Sequence, residues 1–207
     1  MKKVSTSFLC ENSSKDLINV LNNTNTDYIH FDVMDGLFVS NRFLTIKELK
    51  EVLSLSKKKN DIHLMVKDPS SYINEIKNFP IEFITIHYEI DNLEEVVKLI
   101  RENNIKVGLA IKPETNIESI YYLLDKIDMI LIMSVEPGKS GQKFIDSSID
   151  KVSRLKSEIN KRGLSTLIEI DGGINDKVLP FIKDVDIVVS SSYVLSDFKN
   201  IDKIRNS

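Results

Sequence analysis

Tyr28-Ile29-His30-Phe31-Asp32-Val33-Met34-Asp35-Gly36 is the stretch from which the rest of the chain can be read. A strand alternates its side chains. Tyr28, His30, Asp32 and Met34 therefore share one face, and Ile29, Phe31 and Val33 share the other. Gly36 breaks the run. The bulky apolar residues on the second face indicate a strand covered on both sides. A carboxylate inside a covered strand must be paired or bound to a cation. A histidine and an aspartate two residues apart on one face are a chelating pair. On an open antiparallel sheet the same two residues would simply face water.

Strand and helix signals alternate outward from this stretch. Strands are expected over residues 4–9, 28–36, 61–66, 82–87, 106–111, 128–135, 166–170 and 186–190. The first helix opens at Ser13-Ser14-Lys15-Asp16, with Ser13 as N-cap and Asp16 at the third helical position. The second covers 45–55, where Ile46, Leu49, Val52 and Leu53 recur at helical spacing. Another starts at Pro69. Further helices are expected over 93–102, 117–124, 146–162 (stopped by Gly163), 175–182 and 201–205. This makes eight strand–helix units of about 26 residues each (207 divided by eight). Such alternation implies parallel pairing with right-handed crossovers. Eight even units favour a closed (β/α)8 TIM barrel of the α/β class over an open doubly wound sheet. No dinucleotide-type glycine fingerprint follows the first strand, which points the same way. With no linker rich in Pro, Gly or Ser, residues 1–207 read as a single barrel domain.

Composition narrows the partners. A net charge of −3 argues against nucleic acid or an anionic membrane. The one dense basic run, Lys57-Lys58-Lys59, is assigned to a polar loop. The single cysteine, Cys10, cannot form an internal disulfide and fits a reducing compartment. Ser5, Thr6 and Ser7 interrupt any N-terminal apolar segment, and no apolar run approaches the ~20 residues that span a bilayer. The expectation is a soluble cytoplasmic protein.

In a (β/α)8 barrel, chemistry collects where strands end. His30 and Asp32 come from the second strand, His63 from the third and Asp171 from the seventh. Two imidazoles and two carboxylates suit one divalent metal ion, Zn²⁺, Fe²⁺, Mn²⁺ or Co²⁺. Mg²⁺ and Ca²⁺ prefer oxygen alone. Met34, Met65 and Met133 share inward parity, either as ordinary barrel filling or as an apolar collar around the metal. His87 ends the fourth strand and is read as a core or rim histidine bonded to a backbone carbonyl. Barrel enzymes bind phosphate near their last βα loops. The segments there are Gly138-Lys139-Ser140-Gly141-Gln142, Asp171-Gly172-Gly173 and Ser190-Ser191-Ser192.

Taken together, HFDVMDGLFVSN, DIHLMV, ITIHYE, VGLAIKPET, ILIMSVEPGKSGQKFI and EIDGGI resemble the ribulose-phosphate 3-epimerase family, in order, from Ser7 to Ser192. The resemblance implies one catalytic divalent metal held by His30, Asp32, His63 and Asp171. It implies Asp32 as proton acceptor and Asp171 as proton donor. Ser7 and His63 would touch substrate. Lys139, Ser140, Gly141 and Gln142, with Asp171, Gly172, Gly173, Ser191 and Ser192, would hold a sugar phosphate. The implied reaction is epimerisation at C3 of D-ribulose 5-phosphate to D-xylulose 5-phosphate. Two acid/base groups would shift the proton through a metal-stabilised enediolate, as in the pentose phosphate pathway. The resemblance also implies a homo-oligomer.

The chain departs from the family pattern mainly in the phosphate grip. Lys139-Ser140 stands where Phe-Gly is usual, and Ser191-Ser192 where Gly-Ser is usual. Leu37 and Ser40 replace a His and a Pro. These changes leave open a six-carbon substrate, allulose 6-phosphate, and a catalytically degraded barrel that only binds a sugar phosphate. An aldolase or decarboxylase on the same scaffold would need a pocket lysine, for which Lys112 is the sole candidate.

Overall fold

A computed structural model describes residues 1–9 and 14–207. The strands are β1 (Lys3–Ser7), β2 (Tyr28–Asp35), β3 (Arg42–Phe43), β4 (Lys59–Met65), β5 (Ile81–His87), β6 (Lys106–Ile111), β7 (Met129–Met133), β8 (Leu167–Asp171) and β9 (Ile187–Ser190). All except β3 pair in parallel, in the order β1-β2-β4-β5-β6-β7-β8-β9, and β9 returns to β1. The sheet is therefore a closed eight-stranded parallel barrel. β3 is a two-residue antiparallel addition to the end of β2, pairing Met34 with Phe43.

The helices are α1 (Lys15–Asn22), α2 (Ile46–Leu55), α3 (Pro69–Ile76), α4 (Leu93–Glu102), α5 (Ser147–Arg162), α6 (Ser192–Ser196) and α7 (Asn200–Arg205). Ser13, expected as the first N-cap, lies outside the described residues, as does Cys10; α1 follows Ser14. At α2 the expected start is a full capping box between Thr45 and Glu48. Two expected helices are something else. Ile117–Leu123 is a 3-10 helix, and its buried residues Ile117, Ile120 and Leu123 recur every third position, the period of that helix. Over 175–182 only the 3-10 turn Leu179–Phe181 forms. There Pro180 has no backbone donor, and the Asn175 side chain accepts from the Lys177 N–H, which competes with a helical bond. The basic run is only partly loop. Lys59 begins β4 and pairs with Glu82 at 3.1 Å, and Lys58 donates to the Thr24 carbonyl.

Strand parity divides the core. Ile29, Phe31, Val33, Ile62 and Leu64 face outward into the apolar layer beneath the helices. Each such fully buried side chain contributes about 1.5–3 kcal/mol. The opposite parity fills the barrel. Its floor is an apolar plug of Tyr28, Phe83, Met129 and Ile187. Above the plug the interior turns polar, which is the position expected of His30 and Asp32. No helix of the described residues is long and apolar enough to cross a membrane.

Candidate active site

Register brings the polar interior together. β2 and β4 pair His30 with Asp61, Asp32 with His63 and Met34 with Met65. β7 and β8 pair Leu131 with Glu169 and Met133 with Asp171. Residues two apart on one strand thus build two stacked polar levels, closed above by methionines.

Where the levels meet, one ligand atom each from His30 of the lower level and Asp32, His63 and Asp171 of the upper lies within 4.8 Å of every other. These are the four residues singled out from sequence. Nδ1 of His30 lies 2.6 Å from Oδ2 of Asp61, which also accepts from the Ser5 hydroxyl. His30 is therefore turned so that Nε2 faces the cluster, 3.4 Å from Oδ1 of Asp32. That buried Nε2 has no hydrogen-bond partner among the described residues. Nδ1 of His63 lies 3.1 Å from the same Asp32 oxygen, and Oδ2 of Asp32 accepts from the Ser7 hydroxyl. A buried ring nitrogen without a partner, facing carboxylates beside a second imidazole, fits a divalent cation. The mixed N/O set suits Zn²⁺, Fe²⁺, Mn²⁺ or Co²⁺.

Electrostatics separate the two carboxyls. Burial and the nearby Asp32 charge push Asp171 up to about 7. Burial also works against ionising Asp32, but the neighbouring His30 outweighs it and holds Asp32 far below the usual range. A pair pushed apart in this way is suited to opposite acid/base roles. Below them, burial and the nearby Asp61 carboxylate raise Glu169 well above an ordinary glutamate.

One cleft opens above the cluster. Ser7, Asp32 and Asp171 line its base, with Met34, Met65 and Met133 around them. Lys139, Ser140, Gly141 and Gln142 line one side. Gly172, Gly173, Ser191 and Ser192 line the cleft as well. His30 and His63 are fully buried and do not line it. Gly172 has φ +117° and a Cβ there would come within 2.4 Å of Val135; Gly173 has φ +65° and its Cβ would meet the Phe144 backbone at 2.4 Å. Ser191 turns its hydroxyl away, donating to the Leu9 carbonyl at 2.6 Å. The Gln142 amide braces its own loop by donating to the carbonyls of Glu136 and Lys139. Lys139 and Ser140 are exposed. Lys112 sits over the Phe38 ring rather than in the cleft.

His87 differs from expectation. Its ring is bonded to side chains, with Nε2 2.9 Å from Nε2 of His63 and Nδ1 3.1 Å from Oε2 of Glu89. Asp61, Glu169 and Glu89 belong to none of the candidate site residues legible in the sequence. Parity carried a signal for the first two, each two residues before a cluster member on the same face. Glu89 lies beyond the end of its strand, where parity stops being informative.

Fold and cluster together define a (β/α)8 barrel with a candidate divalent-metal centre at the carboxyl ends of its strands. Residues 3–195 match the ribulose-phosphate 3 epimerase family model. A ribulose-phosphate 3-epimerase of Helicobacter pylori is 38% identical over 83% of this chain and 80% of its own. That of Bacillus subtilis is 34% identical over 87% of each. That of Buchnera aphidicola is 36% identical over 93% of this chain and 90% of its own. Among solved structures, phosphoribosyl anthranilate isomerase of Thermococcus kodakaraensis superposes with a TM-score of 0.70, at 16% identity, covering 100% of this chain and 98% of the other, a likeness of fold. The chain belongs to the ribulose-phosphate 3-epimerase family, whose chemistry is sugar-phosphate epimerisation.

Proposed function

We propose that this enzyme interconverts D-ribulose 5-phosphate and D-xylulose 5-phosphate. Inverting a carbon next to a carbonyl means taking its proton from one face and returning one to the other. Two acid/base groups are required. Asp32, held as a carboxylate by His30 and Ser7, takes the proton. Asp171, whose proton affinity is raised by burial and by Asp32, delivers one. In the reverse direction the two exchange roles. His30, Asp32, His63 and Asp171 would hold one divalent cation, which when bound offsets negative charge developing on the substrate oxygens. The methionine collar keeps water from the reacting carbon. The glycine turn at 172–173 and the loop at 138–142 would seat the phosphate with backbone N–H groups.

The observation that carries this reading is the meeting of Asp32 and Asp171, from separate strands, at the base of one cleft with their proton affinities pushed apart. Purified, metal-loaded protein given ribulose 5-phosphate is expected to form xylulose 5-phosphate in a coupled assay. Turnover of allulose 6-phosphate with none of the pentulose would assign the six-carbon reaction instead.

A further inference from the structure

His87 is fully buried at the end of β5, and none of the steps above uses it. Its surroundings dictate where its hydrogen sits. Oε1 of Glu89 accepts from the Thr115 hydroxyl and from the Lys112 backbone N–H. Oε2 of Glu89 faces Nδ1 of His87. A carboxylate accepts and does not donate, so the hydrogen between the two belongs to His87 Nδ1. A neutral imidazole protonated at Nδ1 presents a lone pair at Nε2. That lone pair faces Nε2 of His63 at 2.9 Å, so the hydrogen there belongs to His63. A neutral His63 protonated at Nε2 has a bare Nδ1. That atom faces Oδ1 of Asp32 at 3.1 Å. Two lone pairs at this distance repel unless positive charge lies beside them.

We propose that Glu89 and His87 are positioning residues, a relay that sets the tautomer of His63 and so offers its Nδ1, unprotonated, to the divalent cation of the Asp32 centre. The inference rests on the reading that His30, Asp32, His63 and Asp171 hold that cation. Ligating imidazoles generally donate their second N–H to an acceptor. Here the acceptor is another histidine, whose own tautomer is set by a carboxylate one step further out. The relay is held rigidly. The Phe38 ring packs 4.6 Å from the His87 ring, centroid to centroid. Lys151 of α5 donates to the carbonyls of Lys112, Pro113 and Thr115, fixing the loop that carries the outer partners of Glu89.

Long-range ¹⁵N–¹H correlation spectra of the Zn²⁺-loaded wild-type protein read the tautomers directly. His87 is expected protonated at Nδ1 and His63 at Nε2; a His87 protonated at Nε2 overturns the relay. His87→Phe keeps the ring volume and removes the acceptor. Its affinity for Co²⁺, measured by chelator competition, is expected to fall by about 10–100-fold with a changed Co²⁺ absorption band. His87→Gln, whose amide oxygen can accept the same hydrogen, is expected to recover most of that loss. Unchanged Co²⁺ affinity and spectrum in a folded His87→Phe variant overturn the proposal, and if that variant does not fold the wild-type spectra decide. A wild-type protein that binds neither Zn²⁺ nor Co²⁺ removes the metal reading itself, and the relay with it.

Discussion

Asp32 and Asp171 have the same side chain and receive different surroundings. Asp32 stands among two imidazoles and a hydroxyl, whereas Asp171 is buried beside the Asp32 carboxylate and His30 only partly offsets this. On the proposed mechanism, Asn at either position keeps the shape and removes the proton transfer. Each variant is expected to lose about 10²–10⁴-fold in kcat with its circular dichroism unchanged. Full activity in either one would remove that residue from the mechanism. Glu89 makes a pH prediction. Burial would raise its pKa, but hydrogen bonds from His87, Thr115 and the Lys112 backbone outweigh it and hold it at about 2, against an ordinary 4.5. A depressed carboxyl stabilises the fold fully above its ordinary pKa and loses that contribution as pH falls toward the folded value. Urea unfolding is thus expected to show Glu89→Gln destabilised by about 1–2 kcal/mol at pH 7, partial exposure screening the remainder, with the gap closing between about pH 4.5 and 2.

At the scale of elements, the interior of the barrel leaves little room. Gly108 of β6 has an ordinary extended backbone, yet a Cβ there would lie 2.1 Å from the Thr85 hydroxyl of β5. Gly108→Ala is expected to cost about 1–3 kcal/mol by overpacking, read from the denaturant midpoint. Gly172→Ala acts differently, because φ +117° and the contact with Val135 both lie at the cleft wall. We expect KM to rise more than kcat falls, since the loop moves and the carboxyls beneath do not. The eight barrel strands were legible in order and parity, because alternation of apolar residues survives burial on both faces. The segments 117–124 and 175–182 were legible as helical turns, but not in kind. Whether a short segment closes three or four residues per turn depends on what packs on it and on local side-chain competition, as with Asn175 and Pro180.

For the whole molecule, two polar levels sit inside an otherwise apolar barrel, the upper holding Asp32 and Asp171 and the lower Asp61 and Glu169. A cation bound only by the folded chain stabilises it by mass action, about 2.7 kcal/mol at a hundredfold excess over Kd. Stripping metal with a chelator is expected to lower the melting temperature, and adding back Mn²⁺, Co²⁺ or Zn²⁺ to restore it. His30→Ala is expected to melt at the same temperature with or without metal. A wild-type Tm that ignores both chelator and metal would speak against the centre.

What the sequence determined by itself was local: the order of the elements, the face on which each side chain lies, and hence that His30, Asp32, His63 and Asp171 point inward. Periodicity and residue chemistry are properties of a few neighbouring residues, and they can be read without the fold. Only the closed barrel decided which inward groups meet. It set Asp61 behind His30, His87 behind His63 and Glu89 behind His87, and turned the Ser191 hydroxyl to Leu9. These contacts depend on strand stagger and loop path, which join residues far apart in the chain.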